Sequence, residues 1–281
     1  MKTAVLTDSA ANLSKEFIEN HNNLFVVPLM IIVNEKEYRD QTEINASEVY
    51  EKLDSAKVST SLPANKDITN TLSEIKNQGY THVIVINISS GLSGTFNAFR
   101  LLLKEEKDLK ITHYDSKTLG AEQGFLVEYA LELIEKKTPF KDYIDLLDEL
   151  RQEDTIAFYT INTLKYLRRG GRIGKVEGTL GDILHIKPII TVNEDGVYVT
   201  LSKAFGMKRS LLRMKAILSE KYGEDKIDLV IHYGDNEESA KKLSAKLKAA
   251  LNIRHLSIIR LTPVLGVHTG PEIIAYVARR I

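Results

Sequence analysis

The chain has 281 residues, 43% of them hydrophobic and 27% charged, and its 38 basic and 38 acidic side chains cancel to a formal net charge of zero. That composition suits a core-forming globular chain of one large or two smaller domains, and the charge balance argues against a sequence-independent nucleic-acid binder. The absence of cysteine excludes disulfides, thiol catalysis and Cys-based zinc or iron–sulfur sites.

The first eight residues hold only a short apolar run before Asp8 and read as no signal peptide. Residues 4–6 suggest a short strand ending in Thr7-Asp8-Ser9, with Asn12 or Ser14 capping a helix to about residue 20. Residues 24–33 form the longest apolar run and read as one strand; they contain Pro28 and are too few to span a bilayer, so a cytoplasmic protein is expected. Residues 45–55 suggest a helix. Residues 57–65 read as a hydroxyl-rich loop carrying Ser59, Thr60, Ser61 and Pro63. A helix over 66–78 places Ile68, Leu72 and Ile75 on one face.

Residues 81–87 are an apolar, β-branched run, which predicts a buried strand. Residues 96–106 carry Phe96, Phe99, Leu102 and Leu103 at helical spacing. Between them lie Ser89, Ser90, Gly91, Ser93, Gly94 and Thr95. Free backbone N–H groups and the positive end of a helix dipole are expected at such a strand-to-helix turn, and added hydroxyls make it a seat for a carboxylate or phosphate. A strand over 109–114 ends in Asp115-Ser116, and helices follow over 119–137 and 140–152. Strand–helix alternation predicts a parallel sheet with helices on both faces, binding ligands at the carboxyl ends of its strands.

The texture changes after Glu153. A strand is expected over 155–160, a short helix over 163–168, and a basic glycine-rich turn over 168–174. Residues 183–192 lead into a strand, Asp195-Gly196 signals a hairpin, and 197–201 form its partner. A helix over 207–222, a strand over 227–232, a helix over 237–251 and a strand over 256–261 follow. The glycine-bounded segment 264–271 then precedes a last helix running to Arg280. The expected fold class is α/β with two domains. Residues 1–153 form a parallel sheet with helices on both faces, and residues 154–281 an α+β domain with a mixed or antiparallel sheet.

Gly91-Leu92-Ser93-Gly94-Thr95 falls short of the Gly-x-Ser-x-Gly elbow, because Thr95 stands where the last glycine belongs. A serine-dependent acyl hydrolase using Ser93 with His268 as base is one reading; Ser93 as a polar anchor or helix cap is the favoured one. The turn 168–174 matches neither Gly-x-x-x-x-Gly-Lys-Ser/Thr nor Gly-x-Gly-x-x-Gly. Its three arginines beside glycines suit an anion or docking site about as well as a solvated basic turn. His268, between Gly266 and Gly270-Pro271, is placed in a tight turn rather than on a helix face, as a donor to an anion or as a turn residue. The remaining histidines (His21, His82, His113, His185, His232, His255) lack metal-ligand spacing, so no metal site is expected.

Taken together, Thr7-Asp8-Ser9, Ser59-Thr60-Ser61-Leu62-Pro63-Ala64, Ser89 to Thr95, Asp115-Ser116, Tyr166 to Ile173, Ile186-Lys187-Pro188 and His268-Thr269-Gly270-Pro271 resemble the DegV family over the whole chain. The resemblance implies a two-domain α/β protein without catalysis or cofactor of its own. A long-chain fatty acid would lie in an apolar tunnel and be presented to a separate fatty acid kinase subunit, whose acyl phosphate product feeds phospholipid synthesis. It implies that Thr60, Ser61, Ser93 and His268 hold the carboxylate, with Ser89, Gly94 and Thr95 as the supporting loop. Arg169 and Arg172 are the candidates for phosphate or kinase docking, and a transient contact with a membrane surface is compatible with such a ligand. Two positions depart from the family pattern. Phe205 stands where an arginine is expected, and Glu272 replaces the glycine after His268-Thr269-Gly270-Pro271. Both bear on the kinase partnership more than on lipid binding.

Overall fold

In the computed structural model, which describes residues 2–179 and 186–281, the chain begins with β1 (Thr3–Asp8), α1 (Lys15–Glu19), β2 (Leu24–Val27), β3 (Met30–Val33) and β4 (Lys36–Arg39). It continues with α2 (Ala46–Lys52), β5 (Val58–Ser61), α3 (Asn65–Asn77), β6 (His82–Asn87), α4 (Thr95–Leu103), β7 (Lys110–Asp115), α5 (Ala121–Glu135) and α6 (Tyr143–Glu149). Then come β8 (Thr155–Thr160), α7 (Lys165–Arg169), β9 (Ile186–Val192), β10 (Tyr198–Phe205) and α8 (Gly206–Tyr222). The chain closes with β11 (Ile227–Tyr233), α9 (Glu237–Lys248), β12 (Ile253–Arg260), α10 (Pro263–Thr269) and β13 (Ile274–Arg280). Residues 183–185, where sequence placed the start of a strand, and His185 with them lie outside the described residues.

The expected parallel sheet is present, in the order β2-β1-β6-β7. Side chains on successive strand residues point to opposite faces, so a strand buried on both sides must be apolar at every position. Ala4, Leu6, Val83 and Val85 pack with Ile68, Leu72 and Ile75 of α3 and Phe99 of α4. Val5, Ile84 and Ile86 pack on the other side with Leu126, Val127 and Ala130 of α5. The α3 face is the one its 3.6-residue period marks.

A second sheet has the order β10-β9-β8-β13-β11-β12, antiparallel except for the β11–β12 pair, and is therefore mixed. One face carries Phe158, Leu229, Ile231 and Tyr276 against α8 and α9. The other meets α5, whose Ala121 and Phe125 pack with Val230 and Val277. Helix α5 is thus buried against both sheets, which explains why it is apolar around most of its circumference.

Four expectations are overturned. Residues 24–33 are two strands, because Pro28 lacks an amide hydrogen and the Leu29 N–H donates to Ser9 Oγ (3.1 Å) instead of a ladder. Residues 58–61, read as loop, form β5, which with β3 and β4 makes a small antiparallel sheet in the order β4-β3-β5. The final segment is a strand, not a helix: β13 lies in the middle of the mixed sheet, antiparallel to both β8 and β11. Its β-branched and aromatic residues Ile274, Tyr276 and Val277 suit that doubly buried position. Helix α10 precedes it, and His268 sits in the last turn of that helix rather than in a glycine-bounded turn.

The hairpin predicted at Asp195-Gly196 joins β9 to β10 and reaches across to the parallel sheet. Ser89 Oγ donates to Gly196 O (2.7 Å). Gly196 has φ +78°, and a Cβ there would lie 2.1 Å from Ser89 Oγ. Gly196→Ala should therefore cost about 1–3 kcal/mol in urea unfolding, from the clash and the strained φ together. In a Ser89→Ala background the same exchange should cost less. An identical cost in both backgrounds would remove the Ser89 contact as the cause.

Candidate functional site

Thr60 lies on β5, Ser93 in the β6–α4 loop and His268 in the last turn of α10, and one small pocket collects all three. Ser61 and Arg172 line it as well, with Leu29, Ile88, Leu92, Leu119, Tyr198 and Leu265 as its apolar wall. Thr60 Oγ1 is 2.8 Å from His268 Nε2, a contact between residues 208 apart in sequence. Of the other expected residues, Ser89, Gly94, Thr95 and Arg169 do not line the pocket. Ser89 spends its hydroxyl on Gly196. Thr95 Oγ1 pairs with Ser93 Oγ (2.8 Å), and the Thr95 N–H donates to Ser93 Oγ (3.2 Å). Gly94 is the residue at the entrance to α4. The Arg169 guanidinium donates to Leu53 O and lies over the Tyr166 ring, 5.3 Å from its centroid.

The loop differs in one respect from the seat expected of it. The N–H groups of Leu92 and Ser93 donate to Ser89 O, that of Gly91 to Ser89 Oγ, and that of Ser90 to Asp115 Oδ1. These amides are spent within the loop and on its neighbour. What faces the pocket is side-chain chemistry: hydroxyls, an imidazole and a guanidinium.

His268 is partly buried, with Nδ1 shut off from solvent, and its pKa falls to about 3, first through desolvation and then through the positive charges of Arg172 and Arg169. The ring is neutral at physiological pH. Its Nδ1 is buried without a hydrogen-bond partner and faces Gly170, where a Cβ would lie 2.1 Å from Nδ1. A buried lone pair costs less than a buried orphan N–H, so the proton belongs on Nε2, which donates to Thr60 Oγ1. That leaves the Thr60 hydroxyl hydrogen free to donate elsewhere. Arg172 is held in place by its own chain, with Nε donating to Leu92 O (3.3 Å) and Nη1 to Gly170 O (2.5 Å). The pocket thus offers hydroxyl donors beside one fixed cation, and no carboxylate lines it. Hydroxyl donors beside a single cation are the chemistry that pairs with one negative charge.

A second pocket adjoins it and shares Leu119, Tyr198 and Leu265. Its lining is almost wholly apolar and includes Phe158, Tyr159, Leu261, Ile273, Ala275 and Val277. The enclosed volumes are about 40 Å³ for the polar pocket and about 50 Å³ for the apolar one.

The model of the DegV family, described as that of an uncharacterised protein, matches residues 2–280. The chain belongs to the DegV family. A DegV domain-containing protein of Clostridium perfringens is 41% identical over 273 residues, 97% of this chain and 96% of that one. Among solved structures, a fatty-acid-binding DegV family protein of Thermus thermophilus aligns with a TM-score of 0.91 at 28% identity, covering 100% of both chains. DegV of Bacillus subtilis, described as a fatty acid binding protein, gives 0.88 at 27% identity, again over 100% of each. A stearic-acid-binding protein of Eubacterium ventriosum gives 0.87 at 27% identity over 100% of this chain and 98% of its own.

In this DegV chain the residue that sequence reading missed is Asp40, immediately after β4. Its buried carboxylate accepts from Thr262 Oγ1 (2.6 Å) and from the Val264 N–H (3.0 Å), holding the start of the helix that carries His268. No motif marks it, since Arg39-Asp40-Gln41 reads as solvated loop. Desolvation raises its pKa to about 6, against the opposing pull of hydrogen bonds from Thr262 and Ser9. The native state therefore binds a proton that the unfolded chain releases near pH 4. This contribution to stability is greatest below about pH 4 and declines as pH rises to about 6, by roughly 3 kcal/mol at most. The difference in unfolding free energy between the native sequence and Asp40→Asn should shift toward the native sequence as pH drops from 7 to 4.5. Chemical denaturation at the two pH values measures it, and an unchanged difference would show that Asp40 titrates as an ordinary carboxylate.

Proposed function

We propose that this chain binds a long-chain fatty acid, with the carboxylate in the polar pocket and the acyl tail running into the apolar one. The observation that carries the reading is the continuity of the two pockets through Leu119, Tyr198 and Leu265. Support comes also from the fatty-acid-binding neighbours at 27–28% identity. In this reading His268 Nε2–H donates to Thr60, Thr60 donates to one carboxylate oxygen, Ser61 and Ser93 serve the other, and Arg172 supplies the countercharge. A buried carboxylate left without such partners would be prohibitive. Affinity then comes mostly from the tail, at roughly 0.8 kcal/mol per buried CH₂. The apolar pocket encloses only about 50 Å³, room for a few water molecules. A long tail must therefore displace side chains of the surrounding cluster, which includes Leu261, Val264, Leu265 and Ile273.

The finer reading is that the held carboxylate is handed to a separate kinase subunit for conversion to an acyl phosphate. Glu272, whose charge would oppose a phosphate, accepts a hydrogen bond from Asn162 (2.9 Å) and does not line the pocket. Phe205 is half exposed at the end of β10 and leaves any docking role to other residues, Arg169 among them. The hydrolase reading has less support: Ser93 Oγ is paired with Thr95, and no carboxylate orients His268 Nδ1.

Native mass spectrometry of the purified chain should show an adduct of fatty-acid mass that solvent extraction removes. Thr60→Val and Arg172→Gln should each weaken re-uptake roughly 10- to 100-fold, since losing a hydrogen bond to a charged group costs about 1.5–3 kcal/mol. A clean apoprotein mass together with no uptake of added palmitate would sink the proposal. Hydrolysis of acyl esters that disappears in Ser93→Ala would replace it with the hydrolase.

A further inference from the structure

We infer that the cavity between α5 and the β11–β12 edge of the mixed sheet binds a small organic ammonium ion, with Glu128 as its countercharge. The cavity encloses about 220 Å³, several times the volume of either pocket of the fatty-acid site, and shares no lining residue with them. Its wall includes Glu128, Ser14, Ser257, Phe17, Phe125 and Ile259.

The charges around it do not cancel. Asp228 on β11 is bridged by Arg254 on β12, with Arg254 Nε 2.9 Å from Asp228 Oδ1. Glu132 on α5 is bridged by Arg279 on β13 at 3.0 Å. All four act on Glu128, and both arginines already have acidic partners; His255 on β12 is a further titratable group in the cavity wall. Glu128 itself makes no hydrogen bond or ion pair among the described residues. One carboxylate therefore stands unpaired at the cavity wall. Partial burial pushes its pKa up to about 7, because the carboxylate, though still reached by solvent, has no partner in the protein. A cation in the cavity would favour the ionised form over the protonated one.

The lining chooses among cations. A hard divalent ion takes six or more oxygen ligands, and one free carboxylate with the scattered side chains of Asn12, Ser14 and Ser257 does not supply them. No cluster of metal-ligating side chains is present among the described residues. A primary alkylammonium matches better. Its three N–H donors meet Glu128 and the hydroxyls of Ser14 or Ser257, and a short alkyl body lies along Phe125 and Ile259. Aromatic rings also attract a cation over their faces. The volume suits a body of a few carbons.

The test is calorimetric titration of the full chain at pH 8 with n-butylammonium chloride, using 1-butanol and butyrate as the neutral and anionic counterparts. Butylammonium should bind saturably at one site. Its affinity should fall at least ten-fold in Glu128→Gln and also in Ser257→Phe, which fills the cavity while leaving the carboxylate in place. It should fall about ten-fold between pH 8 and pH 6 in the native chain and equally in His255→Gln, as Glu128 takes up its proton. Butyrate should give no saturable heat. Equal affinity in the native chain and Glu128→Gln, equal binding of 1-butanol, or no saturable binding of butylammonium overturns the inference. Palmitate uptake by Glu128→Gln should be unchanged, so the outcome is separate from that of the fatty-acid proposal.

Discussion

The carboxylate of Asp40 at the start of α10 is the contact on which the site depends. A helix of seven residues does not hold itself together in water, because too few hydrogen bonds follow its nucleation. α10 is fixed from outside. Asp40 accepts from Thr262 and Val264, and Asn12 Oδ1 accepts from the Thr262 N–H at 2.6 Å. Both anchors come from the first 40 residues, whereas the helix lies past residue 260. The sheet β4-β3-β5 does the rest. It carries Asp40 just beyond one edge strand and Thr60 on the other, with Ile31 of β3 opposite Thr60. One small element therefore sets both members of the Thr60–His268 pair.

That same sheet was the part of the fold least legible in the sequence. The parallel sheet was readable because strands such as β6 are apolar at every position and sit between helices with a clear 3.6-residue stripe. β4 and β5 give no such signal. Their residues, Lys-Glu-Tyr-Arg and Val-Ser-Thr-Ser, are mostly polar, four long, and paired only through β3. Short edge strands of this kind are defined by their partner rather than by their own composition. β13 was lost differently. Its apolar residues are contiguous, and such a run does not distinguish a buried strand from a buried helix. The polar motifs at Thr60, Ser93 and His268 could be read as a set. Their convergence followed from the resemblance and not from the residues themselves, because Asp40, which anchors the helix carrying His268, lies in no motif.

Electrostatics distinguish the kind of anion the pocket suits. A neutral imidazole, hydroxyl donors and a single arginine match one negative charge. A phosphate, with up to two charges and three acceptor oxygens, generally calls on several cations or a run of backbone N–H groups. The amides that would make such a run between Ser90 and Ser93 are already bonded within the protein. Arg172 also acts on the pocket indirectly. Its charge adds to burial in keeping His268 neutral, and a neutral ring with one proton is what orients Thr60 outward.

The small enclosed volumes bear on how a long ligand enters. Close-packed interiors do not deform continuously, so a tail lodged among Leu261, Val264, Leu265 and Ile273 requires those side chains to adopt a second packing. α10 contributes two of the four and is also the element tied down by a carboxylate that burial has made reluctant to ionise. Tail entry and head recognition thus act on the same short helix. A ligand that moves Val264 or Leu265 pulls against Asp40 and His268 together, which couples the apolar pocket to the polar one without any further linkage. In the fatty-acid reading proposed above, such a coupling would set chain length and head position jointly: a tail that left α10 displaced would also leave the Thr60–His268 pair apart, so only tails that the second packing accommodates would bring the carboxylate to its donors.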